Sequence, residues 1–149
     1  MNIYIAASLD PEKRKYPMEL AQSLRDNNFN VYGLWEHTIE HAWDWPNEEW
    51  GLMVFEDDIN AIRNADWVVV LSWGRKGTTQ GTAWEQGFAF GIGKQILFVE
   101  MNDEIQSLMA ANGRYASIKW DIEGIINYLT AIRNGKDFDD KLRTKTEQK

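Results

Sequence analysis

No cysteine occurs anywhere in the 149 residues. That excludes a disulfide scaffold, a thiolate zinc site and a cysteine nucleophile, and it fits a reducing compartment. Long apolar runs are also missing. The opening MNIYIAASLD has no basic leader and only a short apolar stretch, so neither a signal peptide nor a membrane span is expected, and the expected location is the cytoplasm. Basic residues are few, 16 against 23 acidic ones, for a net charge of −7. They form no obvious cluster outside the C-terminal tail. Such a field repels nucleic-acid backbones, so polymeric DNA and RNA are set aside as partners. A small anion stays open, because one local site can oppose the global field. The known phosphate fingerprints are absent too. Gly74, Gly77 and Gly81 precede a helix, but their order is not G-x-G-x-x-G and no G-K-[ST] follows. No cofactor is expected. The glycine loop still offers backbone N–H groups to an anion beside Arg75 and Lys76; the plain alternative is a connection with no ligand.

Tryptophan is abundant, with eight residues, and Trp35, Trp43, Trp45 and Trp50 fall close together. Either these side chains pack down a loop, or they wall a flat ligand such as a nucleobase. Trp45 is the candidate contact. Between them lies HTIEH (His37–His41), with the H-x-x-E-H spacing of one metallopeptidase class. It sits in a Trp- and Pro-rich connection with no evident third ligand, so no metal is expected there.

The rest of the pattern alternates strand and helix. Apolar runs at Asn2–Ser8, Phe29–Trp35, Asp66–Ser72 and Gln95–Glu100 read as buried strands, with a shorter edge strand over Arg114–Lys119. Helical spacing covers Tyr16–Asn27, with Met18, Leu20, Ala21 and Leu24 inward, and Leu52–Asn64, with Met53, Ile59 and Ile62 inward. Further helices are expected over Gly81–Ile92, briefly within Asn102–Asn112, and from an Asp121 cap to Arg133 with Ile122, Ile125, Ile126 and Leu129 inward. The prediction is a three-layer α/β domain, flavodoxin- or Rossmann-like, with a mainly parallel sheet of about five strands over residues 1–134 and a polar tail over 135–149. Ligands of such sheets bind beyond the carboxyl ends of the strands. Ser8, the Trp35–Trp50 connection and the Trp73–Gly81 loop should meet at that edge.

Glu85 follows in the next helix. Near a helix start the dipole favours its ionised form by about 0.3–1 kcal/mol. An oriented carboxylate beside a sugar-sized pocket can attack an anomeric carbon through an oxocarbenium-like state. The alternative is a glutamate that merely favours the helix start.

The block GTAWEQGFAFGIGK, residues 81–94, resembles the G-T-A-F-E-x-G-x-A-x-x-x-G-K signature of the nucleoside 2-deoxyribosyltransferases and of their relatives, the nucleoside 5′-monophosphate N-glycosidases. IYIA at residues 3–6, DINAIRNADWVVV at residues 58–70 and Ser107-Leu108-Met109 follow in the family's order. The resemblance implies an enzyme. It makes Glu85 the nucleophile on C1′, Tyr4 the tyrosine that orients it, and Asp58 the acid that touches the base and helps protonate the leaving nitrogen. Gly81 joins the substrate contacts. One departure stands out: the transferases often carry an aspartate six residues before the nucleophile, and here that residue is Thr79. The monophosphate glycosidases have a phosphate-binding hydroxyl there, and a Ser-x-Met segment that Ser107 and Met109 match, often reaching a neighbouring subunit. Ser8, with Lys13 or Arg14, would complete an anion site. The implied partners are a nucleoside or nucleotide, a free nucleobase and further copies of the chain. A nucleotide-binding protein without turnover is the contrasting expectation.

Overall fold

The computed structural model describes residues 1–36 and 46–135. Five strands form one parallel sheet: β1 (Asn2–Ala6), β2 (Asn30–Tyr32), β3 (Trp67–Ser72), β4 (Gln95–Glu100) and β5 (Ala116–Lys119), in the spatial order β2-β1-β3-β4-β5. Among the described residues six α-helices accompany them: α1 (Lys15–Asp26), α2 (Asn47–Asn64), α3 (Gly74–Gly77), α4 (Gln80–Gly91) and α5 (Leu108–Asn112) between strands, and α6 (Ile122–Arg133) after β5. The alternation of strand and helix required this kind of sheet, since parallel neighbours need a crossover between them. Among the described residues, no helix is long and apolar enough to cross a membrane.

Strand periodicity fixes the two layers. Ile3 and Ile5 of β1, Val69 and Leu71 of β3 and Leu97 and Val99 of β4 pack with Leu20 and Leu24 of α1 and Ile125 and Leu129 of α6. Tyr4 and Ala6, Val68 and Val70, and Ile96 and Phe98 take the other face, with Ile62 of α2 and Ala89 of α4. A one-residue slip of β1 would move Tyr4 to the wrong face. The register against β3, Tyr4 opposite Val68 and Ala6 opposite Val70, holds it in place.

The order places a topological switch beside β1. The chain steps outward from β1 to β2, then returns to β3 on the other side, which opens a crevice beyond the carboxyl ends of β1 and β3.

Several expectations change in detail. The Phe29–Trp35 run is a strand only over Asn30–Tyr32, and Leu34–Glu36 turn into a 3₁₀ helix. A Cβ at Gly33 would collide with the Glu36 carboxylate and the Trp35 ring, so the chain folds tightly there. Met18 and Met53, expected inward, are both exposed, while Ile59 and Ile62 are buried. Helix α2 begins earlier than predicted, after Pro46. Asp121 stands at the start of α6 but its side chain makes no capping bond. The predicted helix within Asn102–Asn112 contracts to α5. The expected Trp73–Gly81 loop contains the short α3, whose first residue Gly74 has φ +82°, and a Cβ there would meet Glu104 Cβ at 2.7 Å. Only glycine satisfies both conditions.

Candidate active site

Tyr4 and Glu85 meet on the α2/α4 side of the sheet. The Tyr4 hydroxyl donates a hydrogen bond to Glu85 Oε2. Tyr4 is 1% exposed, at the middle of β1, so its ring is set by the strand register. Glu85 lies in the second turn of α4, and the first turn holds no acidic residue. The expected dipole assistance therefore fades before reaching it.

Asp58 reaches the same place from α2. A cavity of about 340 Å³ is lined by Asp58 and Glu85, with Gly81 at the start of α4. Its walls are apolar: Ile59 and Ile62 from α2, and the rings of Phe55 and Trp84. Those rings touch, 5.5 Å between centroids, and Trp84 stacks on Phe88 at 5.6 Å. Two carboxyl groups thus share a small, largely apolar space, so ionisation is resisted.

Burial pushes the Glu85 carboxyl up to about 7; the Tyr4 hydrogen bond draws it down and the charge of Asp58 adds to the rise. This reverses the expectation of a carboxylate eased into ionisation by the helix start: desolvation outweighs the dipole. Asp58 is pushed up to about 6, by burial first and then by Asp57. Its Oδ1 is buried and has no hydrogen-bond partner among the described residues. Burial, then the charge of Glu85, holds the Tyr4 hydroxyl far above its ordinary range, so it is a neutral donor. Tyr32, stacked on Tyr4, is pushed up to about 12 by burial, then by Asp58, Asp57 and Glu85.

The other sequence candidates divide. Thr79 is the N-cap of α4: its Oγ1 accepts from the Thr82 N–H at 3.2 Å and pairs with Thr82 Oγ1 at 2.7 Å. Ser8, just past β1, is buried, and its Oγ accepts from the Asp10 N–H at 3.3 Å. Lys13 Nζ donates to the Gly77 carbonyl at 2.9 Å, and Arg14 donates twice to the Leu9 carbonyl. Arg75 and Lys76 are exposed on α3. Ser107 and Met109 lie elsewhere. They line a separate cavity of about 400 Å³ with Ala83, Gln86, Gly87 and Phe90, the face of α4 turned away from Glu85. The buried Gln86 side chain ties that face to α5, donating to the Ala110 and Gly113 carbonyls at 2.8 and 2.9 Å. A third and larger cavity, about 550 Å³, lies between β2 and α2 and contains neither Glu85 nor Asp58. Trp45 and the HTIEH segment lie outside the described residues.

Phe55, Trp84 and Tyr32 were not anticipated. Trp84 adjoins Glu85 in sequence and Phe55 lies one turn before Asp58, so both had a local signal. Tyr32 had none, because only the β1–β2 register brings it to Tyr4.

The chain matches the family description "Nucleoside 2-deoxyribosyltransferase" over residues 3–125. Among solved structures, it is similar to a 2-deoxyribosyltransferase of Bacillus psychrosaccharolyticus, with 26% identity, a TM-score of 0.75, and coverage of 86% of this chain and 92% of that one. A conserved protein of Enterococcus faecalis V583 shares the fold at 15% identity and TM-score 0.72, covering 85% of this chain and 95% of its own. So does a CMP N-glycosidase of Clostridium botulinum, at 16% identity and TM-score 0.58, over 87% and 99% of the two chains. No curated protein matches the chain.

Proposed function

The chain belongs to the nucleoside 2-deoxyribosyltransferase family, and from that premise we propose that it moves a 2-deoxyribosyl group between nucleobases through a covalent glycosyl intermediate on Glu85. The enzyme type follows from the family; the reaction and its residues are our reading. The observation that carries it is one cavity lined by both Glu85 and Asp58, with Tyr4 hydrogen-bonded to Glu85 behind it. The Glu85 carboxylate attacks C1′. The C1′–N bond breaks with its electron pair passing to the base nitrogen, and Asp58 supplies the proton that makes the base a neutral leaving group. A nitrogen of the second base then attacks C1′, displaces the Glu85 carboxylate and returns a proton to Asp58. Tyr4 holds Glu85 in the attacking orientation. The apolar walls offer water few partners and a flat base good contact, which favours a base as acceptor. Among the described residues, a Cβ on Gly81 would meet nothing within 4 Å beyond its own helix backbone, so their packing does not require glycine there. Close approach of the sugar to the α4 backbone accounts for it.

Ser107 and Met109 serve a second copy of the chain. Their segment faces away from its own Glu85, and Leu108 and Met109 are 81% and 83% exposed. The assembly we expect is a homo-oligomer with shared sites, located in the cytoplasm.

One observation favours a second reading, release of free base from a nucleoside 5′-monophosphate. Thr79 places a hydroxyl at the α4 N-terminus, which suits phosphate as well as a 5′-hydroxyl. A chromatographic panel separates the two. Each deoxynucleoside and each 5′-monophosphate is incubated with and without a second free base, with Glu85→Ala as control. New nucleoside appearing only with the acceptor base supports the transferase. Free base released from monophosphates without an acceptor supports the hydrolase, and turnover by Glu85→Ala overturns both.

A further inference from the structure

Tyr32 belongs neither to the signature block nor to the cavity around Glu85. It ends the edge strand β2, in register opposite Tyr4 of β1. The two rings lie nearly parallel, with planes 14° apart and centroids 5.7 Å apart. On its other flank Tyr4 faces Val68 across the β1–β3 ladder. Tyr32 also lines the 550 Å³ cavity between β2 and α2, and so stands between that open space and Tyr4. The strand carrying it is tied down: Arg25 donates to the Val31 carbonyl at 2.8 Å and forks onto the Glu36 carboxylate.

We propose that Tyr32 is a positioning residue: its ring, stacked on Tyr4 across the β1–β2 ladder, keeps the Tyr4 hydroxyl on Glu85. The hydroxyl of Tyr4 can stay on Glu85 only while its ring keeps one setting. With Tyr32 reduced to an aliphatic side chain, the flat wall on that flank is lost and the ring gains room toward the cavity. The claim rests on the hydrogen bond itself and not on the glycosyl reading, so the two can fail separately.

The readout is the ionisation of Glu85. Among the described residues, the titratable groups that face it are Tyr4 from β1, Asp58 from α2 with Asp57 beside it, and Tyr32 from β2. Only the Tyr4 bond, among the described residues, draws Glu85 downward against burial and the charge of Asp58. Losing that bond must move its titration up. Glutamate labelled with ¹³C at the side-chain carboxyl reports this by NMR in the full chain without substrate, with Glu85→Gln assigning the signal.

Tyr4→Phe should raise the Glu85 midpoint by about one pH unit. Tyr32→Leu should raise it similarly, and Tyr32→Phe, which keeps the stack, should leave it near wild type. The Tyr4→Phe/Tyr32→Leu double variant should go no higher than Tyr4→Phe alone, because both changes remove one interaction. A Tyr32→Leu midpoint equal to wild type, or a shift that adds to that of Tyr4→Phe, overturns the proposal. If Tyr32→Leu does not fold, Tyr32→Val takes its place, and a displaced midpoint in Tyr32→Phe overturns the proposal alone. Where the chain turns over nucleosides, the alkaline limb of kcat/KM should move with the NMR midpoint, because Glu85 is the higher of the two coupled groups. Where it does not, the titration still decides the role of Tyr32.

Discussion

Glu85 and Asp58 compete for protons in one small cavity. Glu85 is pushed up to about 7 and Asp58 to about 6, so the pair sheds its protons in two coupled steps. The reacting form has Glu85 ionised and Asp58 protonated. That is the minor arrangement of the singly protonated pair, about one part in ten for a one-unit difference. The rate profile should therefore be a bell with limbs near these two values. Asp58→Asn should lower kcat/KM by about 10²-fold. It should also leave only a rising limb, shifted below that of Glu85 in the wild type because the neighbouring charge is gone. A bell that survives unchanged in Asp58→Asn would assign the second limb to another group.

At the scale of the element, α4 does two things at once. Its Glu85 face meets Asp58 and Tyr4, and its Gln86 face holds α5. Glycine at position 81 weakens the start of this helix by leaving the chain more freedom when unfolded. Gly81→Ala should therefore raise the thermal midpoint, by the equivalent of about 0.4–1 kcal/mol. It should at the same time raise KM for the nucleoside, since the new methyl group projects where none of the described residues packs. Melting curves and initial rates on one preparation check both. A variant more stable and equally tight in binding would separate Gly81 from the substrate. Thr79→Ala should cost about 1 kcal/mol, the loss of the α4 cap. It should harm monophosphates more than nucleosides only where a phosphate occupies that end; equal losses would leave Thr79 a cap alone.

The elements were legible where periodicity was strong. The run Asp66–Ser72 could only be a central strand, and Gln95–Glu100 was bounded correctly at both ends. Glu85, Tyr4 and Asp58 were legible through the signature block and the order of the segments around it. The rest depended on contacts that sequence does not carry. Met53 has helical spacing but faces solvent, because α2 presents Ile59 and Ile62 to the sheet instead. Ser107 and Met109 were expected to reach a neighbouring copy, and where they sit beside their own α4, against the face turned away from Glu85, is set by helix rotation that the sequence does not print. The protonation of Glu85 was misread because its depth in the fold, not its place along the helix, decides it. Tyr32 became visible only through strand register.

At the scale of the whole molecule, the site has a cost in stability that depends on pH. Both carboxyls have folded values above their ordinary ones, 4.5 for Glu85 and 3.8 for Asp58. The folded state therefore binds their protons more tightly than the unfolded chain does. The resulting stabilisation is complete below the unfolded values and is lost as pH rises through about 6 and 7. Melting temperature should fall between about pH 4 and pH 7 and level off above, and Glu85→Gln should flatten much of that fall. A steeper fall in Glu85→Gln would contradict the assignment. A copy whose exposed Leu108 and Met109 sit against a neighbour should elute as an oligomer, whereas a monomer that is fully active would detach Ser107 from the site.

The central claim is the covalent step on Glu85, and it can be read directly. The enzyme is mixed with a 2′-fluoro-2′-deoxynucleoside, whose fluorine slows loss of the glycosyl group, then quenched and digested, and the peptides are weighed. The account predicts one equivalent of free base released and a fluorodeoxyribosyl group on the peptide at Glu85, with the wild-type chain regaining activity when an acceptor base is added. Release of base with Glu85 unmodified, or with the sugar on another side chain, would contradict it.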